Sequence, residues 1–399
     1  MITRDEFPYL QQLLIKDAYA AKNIIVPVFQ LGQRSKHLLL TGKNGSGKTT
    51  VLQHLASIIH FDTDHYNPLS SSGSIQRSET IPSIVRMVEP SFFSANNVPY
   101  NGLRNFANQI ILAYFEASRK VSVREVTTVT REDSLESQIA QSKMGKSPAE
   151  LFKQYLVNKK VFQVFDIMEG RGEESKHQAA FFLKLEQTLA KIFEDPGTKL
   201  EFVRENFEFY INLSDGRRFT FNQLSAGFSA FLSILTDLLM RTDLLRKQAN
   251  DYSYDPCGFV LIDEPETHLH LEMQYQILPL LTSLFPNLQF IVATHSPAVA
   301  SSITGATVFD LSTGEVLGDQ AAGSSYSELM QTHFGVENEY SNVADAILAE
   351  VDEIRAMPDR TQALARLQRL MEEKGQYMSP VLQLDIQAQI LHLKREQAA

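Results

Sequence analysis

Residues 36–50, KHLLLTGKNGSGKTT, carry three leucines straight into a glycine-rich turn that ends in Lys48-Thr49. Leu38, Leu39 and Leu40 make a short apolar run of the buried-strand kind, and Val51, Leu52, Leu55, Ile58 and Ile59 recur at helical spacing just beyond. The stretch therefore predicts strand, tight turn, helix. Gly42-Lys43-Asn44-Gly45-Ser46-Gly47-Lys48-Thr49 fits the pattern GxxxxGK[ST], with Thr50 continuing into the helix. Glycines in such a loop let successive backbone N–H groups turn inward around phosphate oxygens, and the helix N-terminus adds its positive end. Lys48 is then placed to reach β- and γ-phosphates and Thr49 to ligate Mg²⁺, so ATP with Mg²⁺ is the expected cargo.

Working outward, Phe259-Val260-Leu261-Ile262 is an apolar strand that ends in Asp263-Glu264, the Walker B arrangement. Asp263 is positioned to hold the Mg²⁺ shell from the sheet edge, and Glu264 to polarise water. Between these two motifs, Leu224-Ser225-Ala226-Gly227-Phe228-Ser229 follows a strand and opens an apolar helix. Ser225 and Gly227 would there stand beside free N–H groups, a second anion site. His295 follows the buried run Phe290 to Ala293 in Thr294-His295-Ser296-Pro297.

The order LLLTGKNGSGKTT, NQLSAGFSAF, FVLIDEPETHLH, FIVATHSP resembles the ABC-type ATPases of the SMC, RecF and OLD-like class, often grouped as AAA-family ATPases, over residues 36–310. The resemblance implies an α/β P-loop NTPase of ABC-ATPase type, a mixed sheet flanked by helices. It also implies that the signature loop of one subunit closes over ATP on the P-loop of another, so Ser225 and Gly227 would meet the γ-phosphate in trans. By the same resemblance Glu264 is the catalytic glutamate, His295 the switch histidine that contacts the γ-phosphate, and the residues around His268 the D-loop at the dimer interface. The sequence departs from the class in three ways. No long heptad region separates P-loop from signature, only a helical insertion over about 141–194; no Q-loop glutamine is evident, Gln109 preceding the strand-like run that it should follow; and the C-terminal helices lack the acid clusters of an OLD nuclease.

The rest of the chain bounds these readings. Its 399 residues, 43% of them hydrophobic, suffice for a large core, and a net charge of -10 argues against a body built mainly to lie along nucleic acid. The single Cys257 rules out an internal disulfide and fits a core thiol in a reducing compartment. An acidic N-terminus and the lack of a long apolar run point to a cytoplasmic protein with no membrane partner. His268 and His270, two apart, would not share a helix face and offer no metal site.

Residues 1–35 read as a mixed helical stretch followed by a β-branched run, 61–79 as a loop, and 84–88 and 110–115 as strands. A helical block opens at Ser147-Pro148, a second helix ends before Asp195-Pro196-Gly197, and a hairpin turns at Asp215-Gly216. The expected domains are an ATPase domain over 1–320 and a helical C-terminal region over 325–399, broken at Pro358 and Gly375.

Compact ATPases of this class without their own nuclease resemble the sensor subunits of bacterial anti-phage systems such as Septu or PARIS. The resemblance implies a homodimer or higher homo-oligomer around ATP that holds a separate effector, a nuclease or toxin. A RecF-like DNA-repair or DNA-binding ATPase is the alternative, for which Lys159-Lys160 and Arg217-Arg218 are the candidate basic pairs, read here as solvated surface. A scaffold that binds ATP without turnover is disfavoured by the presence of Lys48, Asp263, Glu264 and His295 together, and the THLHLEMQ and THSP contexts disfavour a transporter subunit.

Overall fold

The computed structural model describes residues 1–30, 35–64, 87–94, 98–100, 103–106, 108–119, 123–140, 148–324, 328–330 and 342–398. Two compact units divide the chain, Met1–Leu329 and Met330–Ala399.

In the first unit, β1 (Tyr9–Ala18), β2 (Ala21–Pro27), β3 (His37–Thr41), α1 (Lys48–Asp64), β4 (Val88–Phe93), β5 (Pro99–Tyr100) and β6 (Ile111–Phe115) come first. The helices α2 (Glu132–Ala140), α3 (Phe152–Met168) and α4 (Gly172–Ile192) follow, then β7 (Lys199–Val203), β8 (Glu208–Asn212) and β9 (Arg218–Thr220). The long α5 (Ala226–Ala249) leads to β10 (Gly258–Asp263), α6 (Leu271–Leu284), β11 (Leu288–Ala293), α7 (Pro297–Ala300), β12 (Ala306–Asp310) and β13 (Val316–Leu317).

A six-stranded sheet in the order β13-β12-β3-β11-β10-β6 positions the site. All its pairings are parallel except the β12–β13 hairpin. Every residue of β10, β11 and β12 is buried, which is why Phe259–Ile262 and Phe290–Ala293 read as continuous apolar runs rather than as alternating ones. The P-loop strand β3 and the Walker B strand β10 are not neighbours; β11 lies between them, so His295 emerges between the two motifs.

A second sheet, β2-β1-β4-β5, is antiparallel. It overturns the expected N-terminal helix: Tyr9–Ala18 is a strand joined to β2 by a turn with Tyr19 at φ 54°. The cause is visible in the register. A bulge between Leu10 and Gln12 breaks the alternation, so that Leu10, Leu13 and Leu14 fall at helix-like spacing although the segment is extended. The sheets are fastened by buried Gln289 of β11. Its Oε1 accepts from Leu10 N at 2.8 Å while its Nε2 donates to the carbonyls of Leu10 and Lys36 at 2.9 and 2.7 Å.

The expected loop over 61–79 begins later, because α1 runs to Asp64; residues 65–86 lie outside those described, and so does Ser147. Pro148–Leu151 is a 3-10 turn and α3 starts only at Phe152. The Asp215-Gly216 hairpin is present, with β7 as an unforeseen third strand paired to β8. Cys257 is fully buried, and burial pushes its thiol up to about 12. No helix among the described residues is long and apolar enough to cross a membrane.

The second unit packs α8 (Asn342–Arg355), α9 (Arg360–Lys374) and α10 (Pro380–Ala398) around Ile347, Val351, Ile354, Leu367 and Ile386. Asp359 caps α9 by accepting from Thr361 N and Gln362 N.

Candidate nucleotide site

The loop between β3 and α1 wraps around its own lysine. Lys48 is 5% exposed and donates to the carbonyls of Gly42 and Lys43 at 2.7 and 3.2 Å. Burial pulls its ammonium down from the usual lysine range, opposed by the charges of Asp310, Glu264 and Asp263. Ser46 is buried, whereas Lys43, Asn44 and Gly45 are exposed, so the loop is lined inside and open outside. Gly47 has φ +100°, and a Cβ there would lie 2.5 Å from the Ala18 carbonyl, so the end of β1 closes the loop's back wall. Ser312, in the β12–β13 turn, accepts from Lys43 N at 2.8 Å.

Thr49 and Thr50 sit in the first turn of α1, and Thr49 Oγ1 lies 3.2 Å from Asp263 Oδ1. Asp263 is 3% exposed; burial raises its carboxyl, and the bond from Thr49 works against that rise. Two hard oxygens side by side at the mouth of a phosphate loop fit the ligand preference of Mg²⁺. Glu264, the next residue, leaves the strand in the left-handed region at φ 46°. Its N–H donates to Ala293 at 2.8 Å and its carbonyl accepts from Thr267.

His295 stands at the end of β11, where its backbone N–H donates to Glu266 Oε1 at 2.6 Å. Its imidazole is half-buried, and burial, then the charge of Lys48, lowers its pKa, against the opposing charge of Glu264. Lys48, Thr49, Asp263, Glu264 and His295 are thus gathered at one edge of the sheet.

Ser225 and Gly227 are placed differently. Ser225 is exposed as the N-cap of α5 and accepts from Phe228 N at 3.5 Å. Gly227 is buried, and a Cβ on it would lie 2.3 Å from the carbonyl of His268, itself an exposed residue at φ 63°. Among the described residues no hydrogen bond or ion pair joins either one to the P-loop group.

Two residues of the site carried no assigned role in the sequence. Glu266 holds His295 in place with one carboxylate oxygen while the other is buried without a partner, and burial raises its pKa. Arg119, just beyond β6, donates to the carbonyls of both Asp263 and Glu264. Glu266 was legible within Asp-Glu-Pro-Glu; Arg119 needs the strand order, which makes β6 the neighbour of β10. Gln109 precedes β6, and positions 116–119 after it are Glu, Ala, Ser and Arg, so no glutamine stands in the place of a Q-loop. The basic pairs are largely engaged: Arg217 with Asp215, Arg218 with Glu201 and the ring of Tyr210. Lys159 pairs with Asp243 at 2.6 Å and is 15% exposed, correcting its reading as solvated surface.

Comparison with known proteins finds similarity over parts of the chain. Residues 174–301, under a third of the chain, match the family described as "AAA domain, putative AbiEii toxin, Type IV TA system". "Retron Ec83 probable ATPase" of Escherichia coli is 40% identical over 93 residues, 23% of this chain and 17% of that protein. "Septu protein PtuA" of Bacillus thuringiensis is 24% identical over 278 residues, 65% of this chain and 66% of that protein. The chain thus spans under a fifth of the length of the retron relative. A solved Smc head bound to the C-winged helix domain of ScpA aligns with a TM-score of 0.40 at 15% identity, covering 79% of this chain and 100% of that one. Residues 174–301 are therefore similar to the AAA family of that description, within a unit whose central sheet is parallel but for one hairpin.

Proposed function

We propose that this chain binds and hydrolyses ATP, closes around it with a second copy, and so controls a separately encoded effector in bacterial anti-phage defence. The observation that carries the reading is the meeting of Thr49 and Asp263 at 3.2 Å beside buried Lys48, with Glu264 and His295 at the same sheet edge. Lys48 now bonds to loop carbonyls, and phosphate oxygens would be stronger acceptors for its charge. Mg²⁺ held at Thr49 and Asp263 would neutralise charge on the β- and γ-phosphates. Glu264 orients the attacking water, and His295 donates a ring N–H toward the γ-phosphate. Exposure of Ser225 supports a role for α5 across an interface rather than within its own chain. The similarity to proteins named as a retron ATPase and as a Septu protein supports the defence setting.

The test pairs phosphate release with mass measurement for the wild type and Glu264→Gln, each expressed with its genomic neighbours. Removing the carboxylate should cut turnover by about 10²–10⁴-fold, the usual share of a general base, while ATP still binds and a two-copy assembly persists. A chain that stays single with ATP, or turns over at a rate per molecule independent of concentration, would rule out the shared site. Purification without any neighbour-encoded protein would remove the effector.

A further inference from the structure

Pairing between β6 and β10 ends at Phe115↔Ile262, so the β6 ladder offers nothing to the two residues that follow, Asp263 and Glu264. Arg119 takes over there. Its guanidinium donates to the Asp263 carbonyl at 2.6 Å and to the Glu264 carbonyl at 2.8 Å, and is steadied by the Glu116 carbonyl at 2.8 Å. A planar fork suits two consecutive carbonyls in a way that a single ammonium does not. The residue it grips is the one in the left-handed region, where a side chain other than glycine stays only when its surroundings hold it. The conformation matters because a left-handed residue after a strand turns its side chain out of the strand's alternation. Glu264 is held from the other side too: its N–H is bound to Ala293 and its carbonyl also accepts from Thr267 Oγ1 at 3.0 Å.

The charge of Arg119 is as well placed as its geometry. Burial pulls the guanidinium down to about 10, and Glu266, Asp263 and Glu264 are the acids that oppose the fall. Its Nε is buried without a partner, as is Glu266 Oε2. A half-buried cation thus lies near three carboxylates and offsets their mutual repulsion.

We infer that Arg119 is a positioning residue for hydrolysis, fixing the backbone of Glu264 so that its carboxylate faces the attacking water. The inference rests on the proposed ATPase reading. It distinguishes Arg119 from Lys48 and Thr49, which act on the nucleotide itself: Arg119 acts only through the Walker B turn.

The experiment uses full-length chain with the variants Arg119→Ala, Arg119→Lys and Glu264→Gln, and the double variants that combine the last with each of the others. Measured are ATP affinity, turnover at saturation and melting temperature. Loss of the fork should lower turnover by about 10²-fold, the scale of a small misplacement of a reacting group, with ATP affinity within about threefold of wild type. Arg119→Lys keeps the charge and loses the fork, so it should recover only part of the rate. In the Glu264→Gln background neither change should lower the residual rate further, because both act on the same group. The inference is overturned if Arg119→Lys turns over like wild type, if the losses multiply in the double variants, or if affinity and melting temperature fall in step with the rate. Should Arg119→Ala not fold, Arg119→Lys carries the comparison alone. A wild type without turnover would sink the ATPase reading itself, an outcome visible before any variant is made.

Discussion

The P-loop and the N-terminus of α5 are both helix starts at which an anion is proposed to sit, yet they are finished in opposite ways. Around α1 the loop buries Ser46 and Lys48, binds the lysine to its own carbonyls, and is backed by the Ala18 carbonyl and flanked by Ser312. At α5, Ser225 is in solvent, holding its cap over 3.5 Å, while Gly227 packs closely on the carbonyl of His268. One end is a receptacle complete in itself. At the other, Ser225 makes no side-chain bond among the described residues beyond its own cap, and this contrast supports the proposed site shared by two copies.

Substitutions at the two glycines should break that contrast in different measurements. Gly47→Ala places a methyl group 2.5 Å from the Ala18 carbonyl at φ +100°. Strain plus overpacking of about 3 kcal/mol corresponds to at least ~10²-fold weaker ATP binding, read by nucleotide titration of a single chain. Gly227→Ala puts a methyl 2.3 Å from the His268 carbonyl in ordinary helix geometry. It should cost about 2 kcal/mol of stability in chemical denaturation while a dilute single chain keeps its ATP affinity. Equal damage to binding by both would mean that the two ends are not separate in function.

The mildest change sharpens the comparison most. Ser225→Ala removes a long cap bond, so stability should drop by no more than about 1 kcal/mol. If Ser225 serves a second copy, turnover at high protein concentration should nevertheless fall by about tenfold, the worth of one hydrogen bond to a charged group. Turnover that tracks only the small stability loss would leave Ser225 a plain helix cap.

What could be read in advance follows the range of the interactions involved. The P-loop, Walker B and the THSP strand end are local: each is an apolar run stopped by the candidate site residues, and the fully buried β10 and β11 make those runs conspicuous. The N-terminal strand was hidden because a bulge at Leu10 and Gln12 imitates helical spacing, which no local rule separates from a helix. Arg119 was hidden for another reason. It meets Asp263 and Glu264 across 144 and 145 residues of chain, through a strand neighbour that only the sheet order reveals. Glu266 lay within a quoted motif, but its bond to the His295 N–H is likewise a product of two adjacent strands ending together.

Gln289 gives the architecture a mechanical character. One buried amide holds both backbone groups of Leu10 and the carbonyl of Lys36, at the point where the antiparallel sheet meets the strands of the nucleotide site. Sliding one sheet along the other by a single residue would cost three backbone groups these partners, the two of Leu10 in the dry interior. The amide is a rivet between the two sheets, and it sits at the foot of the P-loop strand, so the β1–β2 hairpin is tied to that strand through a single side chain.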